Sequence, residues 1–142
     1  MNWYVAQFKW VMLVTGLLTC TVLYVAVAPQ AALQSNFGEA LSGPLAEIIV
    51  RNWGALITLT GALLIYGAFK PVHRRLILTL AVISKSTFVS LALIFGSQYL
   101  GRMAGISVAI DAAEVALYVI YLVATRGRPL APSNQGQAQN AG

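Results

Sequence analysis

Four ionisable side chains lie within or beside long apolar stretches of the sequence, where a charge is costly. Lys85 lies at the centre of "LILTLAVISKSTFVSLALIFG" (residues 76–96), and Asp111 and Glu114 lie inside the last apolar stretch. Arg51 lies near the start of another. Ionisable residues in membrane-spanning segments mark proton relays, substrate pathways or ion pairs between helices. These residues are the candidates for a buried polar site. The sequence leaves open whether Lys85 and Glu114 are both charged or share a proton as a neutral pair.

The composition of the chain indicates a membrane protein. Of its 142 residues, 58% are hydrophobic and only 9% are charged, whereas an ordinary soluble domain has about a quarter of its residues charged. The net charge of +5 is not accompanied by a basic face with interleaved aromatic residues, so no nucleic acid partner is expected. A single cysteine, Cys20, excludes an internal disulfide and a multi-cysteine metal site.

Four apolar stretches are long enough to cross a bilayer, since each has about the 20 residues that a spanning helix needs. Backbone groups must be paired inside lipid, so these stretches should be α-helices. The segment "AVAP" (residues 26–29) resembles a signal-peptide cleavage site, but only Lys9 precedes it as a basic residue, so we expect a retained helix. The sequence predicts an all-α four-helix membrane bundle in residues 1–125, with spans at about residues 10–28, 48–69, 76–96 and 103–125.

Basic residues are concentrated on one side of the predicted bundle. The link "KPVHRR" (residues 70–75) contributes three fixed positive charges. The flanks of the bundle add three more: Lys9, Arg126 and Arg128. The other side has only Arg102 and Arg51. The positive-inside rule therefore predicts cytoplasmic termini in a bacterial inner membrane.

Two segments outside the spans have their own patterns. The segment "SGPLAEIIVRNWG" (residues 42–54) fits either a short interfacial helix capped by Ser42 or an early start of the second span. Residues 126–142 are polar and rich in Gly, Pro, Gln and Asn. That composition is typical of a flexible tail, here on the cytoplasmic side.

Lys85 and Glu114 are predicted to lie at the same depth. With a rise of about 1.5 Å per residue, Lys85 lies about 14 Å from one membrane boundary, and Glu114 lies about 16 Å from the other on an antiparallel helix. A lone charge at this depth costs about 2.5–3.5 kcal/mol on insertion scales. The sequence therefore predicts a Lys85–Glu114 pair, with Asp111 and Arg51 as the outer part of the same polar network.

The fourth span carries two different faces. Polar residues at steps of three and four form one stripe: Ser107, Asp111, Glu114, Tyr118 and Tyr121. We expect Ser107, Tyr118 and Tyr121 to line a pocket beside the charges. Small residues form a helix-packing ridge on nearly the opposite face: Gly101, Gly105, Ala109, Ala113 and Ala116. In membranes, polar stripes and small-residue ridges both pack against protein. The two faces therefore indicate a homo-oligomer or a complex with another membrane subunit. The alternative is that the bundle of a single chain covers both faces.

Patterns for catalysis or metal binding are weak. His73, the only histidine, lies in the basic link, which disfavours haem and histidine-rich metal sites. Ser84 and Ser86 adjoin Lys85 in sequence but do not share its helical face, so a Ser–Lys dyad is not favoured. The sequence predicts neither an enzyme nor a bound cofactor.

The second span and its surroundings carry a pattern known from small membrane proteins. A proline-bearing outer loop precedes "IIVRNWGALITLTGALLIYGAF", with Arg51, Gly54 and Gly61, and a basic turn and two apolar helices follow. Over most of residues 1–125, this order resembles the DoxX-like group of small four-helix bacterial membrane proteins. The resemblance implies a four-helix fold and a role as an accessory or assembly subunit, since that group includes accessory subunits of membrane redox systems. It assigns no catalytic residue.

Two other classes of function remain open. One is a proton-coupled carrier that uses Glu114, although small multidrug transporters share a glutamate in the first span, and this chain has no acidic residue there. The other is a bundle that binds an apolar small molecule such as a lipid, sterol or quinone, with Tyr118, Glu114 and Lys85 around the cavity.

Overall fold

The fold was analysed in a computed structural model that describes residues 2–127, without the side chains of Asn2 and Tyr4. Residues 128–142, which hold most of the predicted tail, lie outside the described residues. The described chain consists of helices and turns: α1 (Asn2–Cys20), α2 (Leu23–Val27), α3 (Pro29–Phe37), α4 (Pro44–Phe69), α5 (Pro71–Phe95), a 3-10 turn (Ser97–Tyr99) and α6 (Met103–Ala124). The predicted all-α class is confirmed for this range.

Four helical segments are long and apolar enough to cross a membrane, as predicted. They are Val5–Val27 (α1 with α2), Pro44–Phe69, Pro71–Phe95 and Met103–Ala124. Consecutive spans run antiparallel. Gly61 and Gly67 of α4 meet Cys20 and Met12 of α1, respectively, and Gly67 also meets Ile77 of α5. Both ends of the described chain therefore lie at one end of the bundle, the terminal end, and α2, α3 and the 3-10 turn lie at the other, the loop end.

Prolines define the starts of three helices. Pro29, Pro44 and Pro71 each occupy the first turn of a helix, where the missing N–H costs nothing. The second span thus begins early, at Pro44, rather than after a separate interfacial helix. The α3 helix was not predicted, because its nine residues have little apolar periodicity, and it ends at Gly38 with the positive φ of 73° that glycine tolerates.

Helix α1 packs closely against α4 through small residues. A Cβ atom at Gly61 would lie 2.8 Å from Cys20 Sγ and 2.9 Å from the Gly16 carbonyl oxygen. A Cβ atom at Gly16 would lie 2.9 Å from the Gly61 carbonyl oxygen. Glycine at both positions therefore permits the close approach of the two backbones.

The buried apolar residues form two separate clusters. The larger lies in the terminal half of the bundle and contains Phe8, Met12, Leu64, Ala68, Ile77, Leu78, Ala81, Tyr118 and Tyr121. The smaller lies at the loop end and contains Val25, Ala32, Leu33 and Val50. The site described below lies between these two clusters.

Arg74 is buried, although it belongs to the predicted basic link, because α5 already begins at Pro71. Its Nη2 donates to the Ala68 carbonyl at 2.9 Å and its Nε to the Gly67 carbonyl at 3.2 Å. Its Nη1 lies 3.4 Å from the Tyr121 hydroxyl. Arg74 thus satisfies carbonyls left free at the C-terminus of α4 and ties the start of α5 to α6.

Replacing Gly61 by alanine should destabilise the bundle, because the new methyl group meets not only Cys20 Sγ but also two backbone atoms of α1, which cannot move aside as a side chain can. We expect a loss of about 1–3 kcal/mol in the free energy of unfolding, measured by equilibrium denaturation in mixed micelles. Gly101→Ala is the control, since nothing lies within 4 Å of a Cβ atom there. Equal stability of the two variants would contradict the close α1–α4 packing.

Candidate functional site

Three charged side chains meet between α5 and α6. Lys85 Nζ lies 2.5 Å from Asp111 Oδ1 and 2.9 Å from Glu114 Oε2. The exposed fractions of the three side chains are only 8%, 19% and 5%, in the order Lys85, Asp111, Glu114. The structure thus brings Lys85 together with both acidic residues of α6. We call these three residues the charged cluster.

The helix geometry explains why one lysine reaches two carboxylates. Asp111 and Glu114 are three residues apart, so they lie on the same face of α6, one turn from each other. Helix α5 runs antiparallel to α6, and Arg74 meets Tyr121 near the terminal end. Lys85 is eleven residues further along α5 and therefore lies opposite this pair of acids. The register of the two helices places the cluster midway along both.

A hydroxyl network continues from Glu114 toward α1. The Tyr118 hydroxyl lies 2.7 Å from Thr15 Oγ1 and 3.3 Å from Glu114 Oε2, and Tyr118 is fully buried. Thr15 in turn donates to the Val11 carbonyl at 2.9 Å. The sequence did not single out Thr15, since a lone threonine in an apolar helix gives no signal of its tertiary partner. These bonds connect the charged cluster to the first span.

Tyr118 and Tyr121 do not line a pocket, contrary to the sequence-based expectation. Tyr118 is enclosed in the larger apolar cluster. The Tyr121 ring stacks on Phe8 with a centroid distance of 4.0 Å. Helix α1 approaches α6 at this level, so both tyrosine rings pack against α1, on the terminal side of the charged cluster. Ser107, the third predicted lining residue, does line the cavity described below.

Arg51 does not join the charged cluster, which corrects the predicted outer part of the network. Its guanidinium contacts Glu47, one turn earlier on α4, at 2.6 Å from Nη2 to Oε1. Its Nη1 donates to the carbonyls of Ala26 and Val27 at 2.6 and 3.2 Å. These carbonyls lie at the C-terminal end of α2, where they lack helical partners. Arg51 therefore joins α2 to α4 at the loop end.

The small-residue ridge of α6 faces away from the described bundle. Ala109 and Ala113 are exposed, as are Ala116 and Gly101. Gly105 is partly buried, and a Cβ atom there would overlap the Leu100 carbonyl. The described bundle thus covers the polar stripe of α6 and leaves the alanines of the ridge outside.

A cavity of about 760 Å³ lies between the charged cluster and the loop end. On α6 its lining runs from Met103 to Glu114, so the cluster forms its inner limit on that helix. Most of the wall is apolar, with hydroxyl groups spaced along it from Thr19, Thr60, Ser84 and Ser107. The exposed side chains of Leu56, Leu80, Leu91 and Ile106 also belong to the lining, so the cavity opens on the outer surface of the bundle.

Aromatic side chains cover the loop end of the cavity. The Trp53 ring lies 6.3 Å from both Phe37 and Phe88, measured between centroids. Phe37 also contacts the Tyr99 ring edge-to-face at 5.5 Å. The Tyr99 hydroxyl donates to the Glu39 carboxylate at 3.1 Å. This arrangement joins α3, α4, α5 and the 3-10 turn above the cavity.

Asp111 is the more exposed of the two acids that line the cavity. Its Oδ1 contacts Lys85, and no residue in the described range hydrogen-bonds to its Oδ2. Glu114 is more enclosed, since its Oε2 meets both Lys85 and Tyr118. Within residues 2–127, no three His, Cys, Asp or Glu side chains gather as a metal site. The arrangement is suited to binding a polar group at the end of an apolar molecule.

No protein-family model, curated protein or solved structure matches the chain. The geometry of the cavity and its charged cluster therefore carries the functional assignment.

Removing Lys85 should destabilise the protein strongly, because Lys85→Met leaves the buried Glu114 carboxylate and the partly buried Asp111 carboxylate without their cation. Breaking a buried ion pair in this way costs about 3–5 kcal/mol. Asp111→Asn should cost much less, since the Lys85–Glu114 pair remains and is neutral overall.

The free energy of unfolding in mixed micelles measures both effects. Lys70→Met is the control for losing a lysine, because Lys70 is exposed between α4 and α5. If Lys85→Met and Lys70→Met unfold alike, the ion pairs do not hold α5 to α6.

Proposed function

We propose that this protein is a multi-pass membrane protein that binds one small amphiphilic molecule beside the charged cluster. The observation that carries the proposal is the cavity of about 760 Å³, with mostly apolar walls and three charged side chains in its lining. Ligand sites are typically concave, about 300–1,000 Å³ in volume, and mostly apolar with a few convergent polar groups. The cavity has all of these properties.

The position of the opening favours a ligand that is dissolved in the membrane. Leu56, Leu80 and Leu91 are about half exposed and lie along α4 and α5, on segments that are apolar enough to be surrounded by lipid. A molecule that diffuses in the bilayer reaches such an opening without passing through water. The polar part of the molecule would then meet Asp111, and its apolar part the cavity walls.

The energetic cost of the charged cluster also favours a binding role. Buried ion pairs often stabilise a protein no better than apolar residues of similar volume, because the charges lose their hydration. The described bundle already has a larger apolar cluster that holds its terminal half together. Three charges beside a cavity are therefore better explained by ligand binding than by stability alone.

An accessory role is the second part of the proposal, and the exposed alanines of α6 favour it. Small residues such as Ala109 and Ala113 let two membrane helices approach closely. Through this face, a second copy or another membrane subunit would lie beside the helix that carries Asp111 and Glu114. This role agrees with the accessory or assembly function implied by the resemblance to the DoxX-like group.

We further propose a bacterial inner membrane with the termini in the cytoplasm. The support is the distribution of charge, since Lys9, Lys70, Arg75 and Arg126 lie at the terminal end, whereas Arg51 and Arg102 lie at the loop end. Arg74 adds less to this signal than the sequence suggested, because it is buried against carbonyls of α4.

The binding proposal is tested by native mass spectrometry of the protein gently solubilised from its host. We expect a discrete added mass that corresponds to a small amphiphile and is extracted into organic solvent. Ser107→Trp fills the cavity and should lower occupancy by about tenfold or more, equivalent to about 1.4 kcal/mol.

Ile120→Trp on the same helix is the matched control, since Ile120 is exposed and does not line the cavity. A bare protein, or equal occupancy in both variants, would contradict binding at this site. A stoichiometric protein companion would support the accessory role independently.

A further inference from the structure

We propose that the molecule bound in this cavity carries a cationic, amine-type head group that pairs with the Asp111 carboxylate. This inference rests on the proposed function and adds the chemical class of the ligand. It follows from the two acids and one base that line the cavity and from the greater exposure of Asp111, the more accessible of the two acids.

The acidic side chains that line the cavity outnumber the basic ones. Of the described residues around it, Lys85 is the one cation, whereas Asp111 and Glu114 are both acids. In their ordinary ionised forms the three groups sum to one negative charge. An unbalanced charge away from water is costly, and a cation in contact with it offsets that cost. The cavity therefore complements a ligand with one positive charge.

Exposure distinguishes the two acids, because the Asp111 side chain is more accessible than that of Glu114. Glu114 is only 5% exposed and its Oε2 is shared by Lys85 and Tyr118. Asp111 is 19% exposed, and its Oδ2 has no hydrogen-bond donor among residues 2–127. A protonated amine would donate to this oxygen and bring the cluster to two positive and two negative charges.

Other head groups fit the site less well. A hydroxyl group would donate to Asp111 Oδ2 but would leave the negative charge unbalanced. A carboxylate or phosphate head group would place a third negative charge next to Asp111 and Glu114, and like charges in contact oppose binding. The cavity therefore discriminates between amphiphiles of equal length by the charge of their head groups.

Trp53 provides a direct reporter, because it lines the cavity and the other two tryptophans, Trp3 and Trp10, are exposed near the terminal end. With Trp3→Phe and Trp10→Phe, Trp53 becomes the sole tryptophan. The protein is placed in phosphatidylcholine nanodiscs at neutral pH. Dodecylamine, dodecanol and dodecanoate, each brominated in the chain, are then compared as quenchers of Trp53 fluorescence, with concentrations expressed per lipid.

We expect saturable quenching by the amine at a concentration at least about tenfold lower than that of the alcohol, and weakest quenching by the carboxylate. Asp111→Asn should remove the preference for the amine, so that the amine and the alcohol quench at similar concentrations. Glu39→Gln is the matched control, because Glu39 is an exposed acid that does not line the cavity, and it should keep the preference.

The outcomes separate this inference from the proposed function. Saturable quenching of equal strength by amine and alcohol, or a preference for the alcohol or the carboxylate, would overturn the cationic ligand and leave the binding function standing. Absence of saturable quenching by all three would overturn both. If Asp111→Asn does not fold, the order of the three head groups with Asp111 in place decides the question.

Discussion

The fold depends on one constraint, which is that a lysine in the middle of an apolar helix must meet a counter-charge within the protein. Lys85 satisfies it with two carboxylates on one face of α6, at 2.5 and 2.9 Å. Because both partners lie on the same helix, the contact fixes the register and facing of α5 against α6. It also places two acidic residues against one lysine, and from this composition we infer that the cavity prefers a cationic ligand.

The remaining contacts explain why space is left beside these charges. Helix α1 lies tightly on α4 through Gly16 and Gly61, and it meets α6 through Phe8 and through the Thr15–Tyr118 hydrogen bond. Beyond Cys20 the straight helix ends, and the chain continues into the short α2 and α3 at the loop end. The two apolar clusters therefore close the bundle at its terminal half and its loop end. Between the two clusters, side chains line the cavity but do not fill it.

Much of this architecture follows from the sequence, because lipid leaves few alternatives for a long apolar segment. The four spans and the depth of Lys85 and Glu114 depend only on helix geometry and hydropathy. Helix geometry and hydropathy do not predict the partner of Arg51. Its guanidinium contacts carbonyls at the C-terminus of α2, and these lack helical partners because α2 ends before Pro29. Similarly, the buried state of Arg74 and the inward position of Tyr118 depend on where α5 starts and where α1 approaches α6. Tertiary contacts of this kind leave no periodic signal.

The proposed role of the charged cluster is to form the polar end of a ligand cavity, and not only to hold α5 to α6. An experimental structure in a lipid environment, without added ligand, tests it most directly. We expect elongated density between α4, α5 and α6 with its polar end within hydrogen-bond distance of Asp111. A cavity closed by the side chains of Leu56 and Leu80, or density with its polar end away from Asp111, would contradict it.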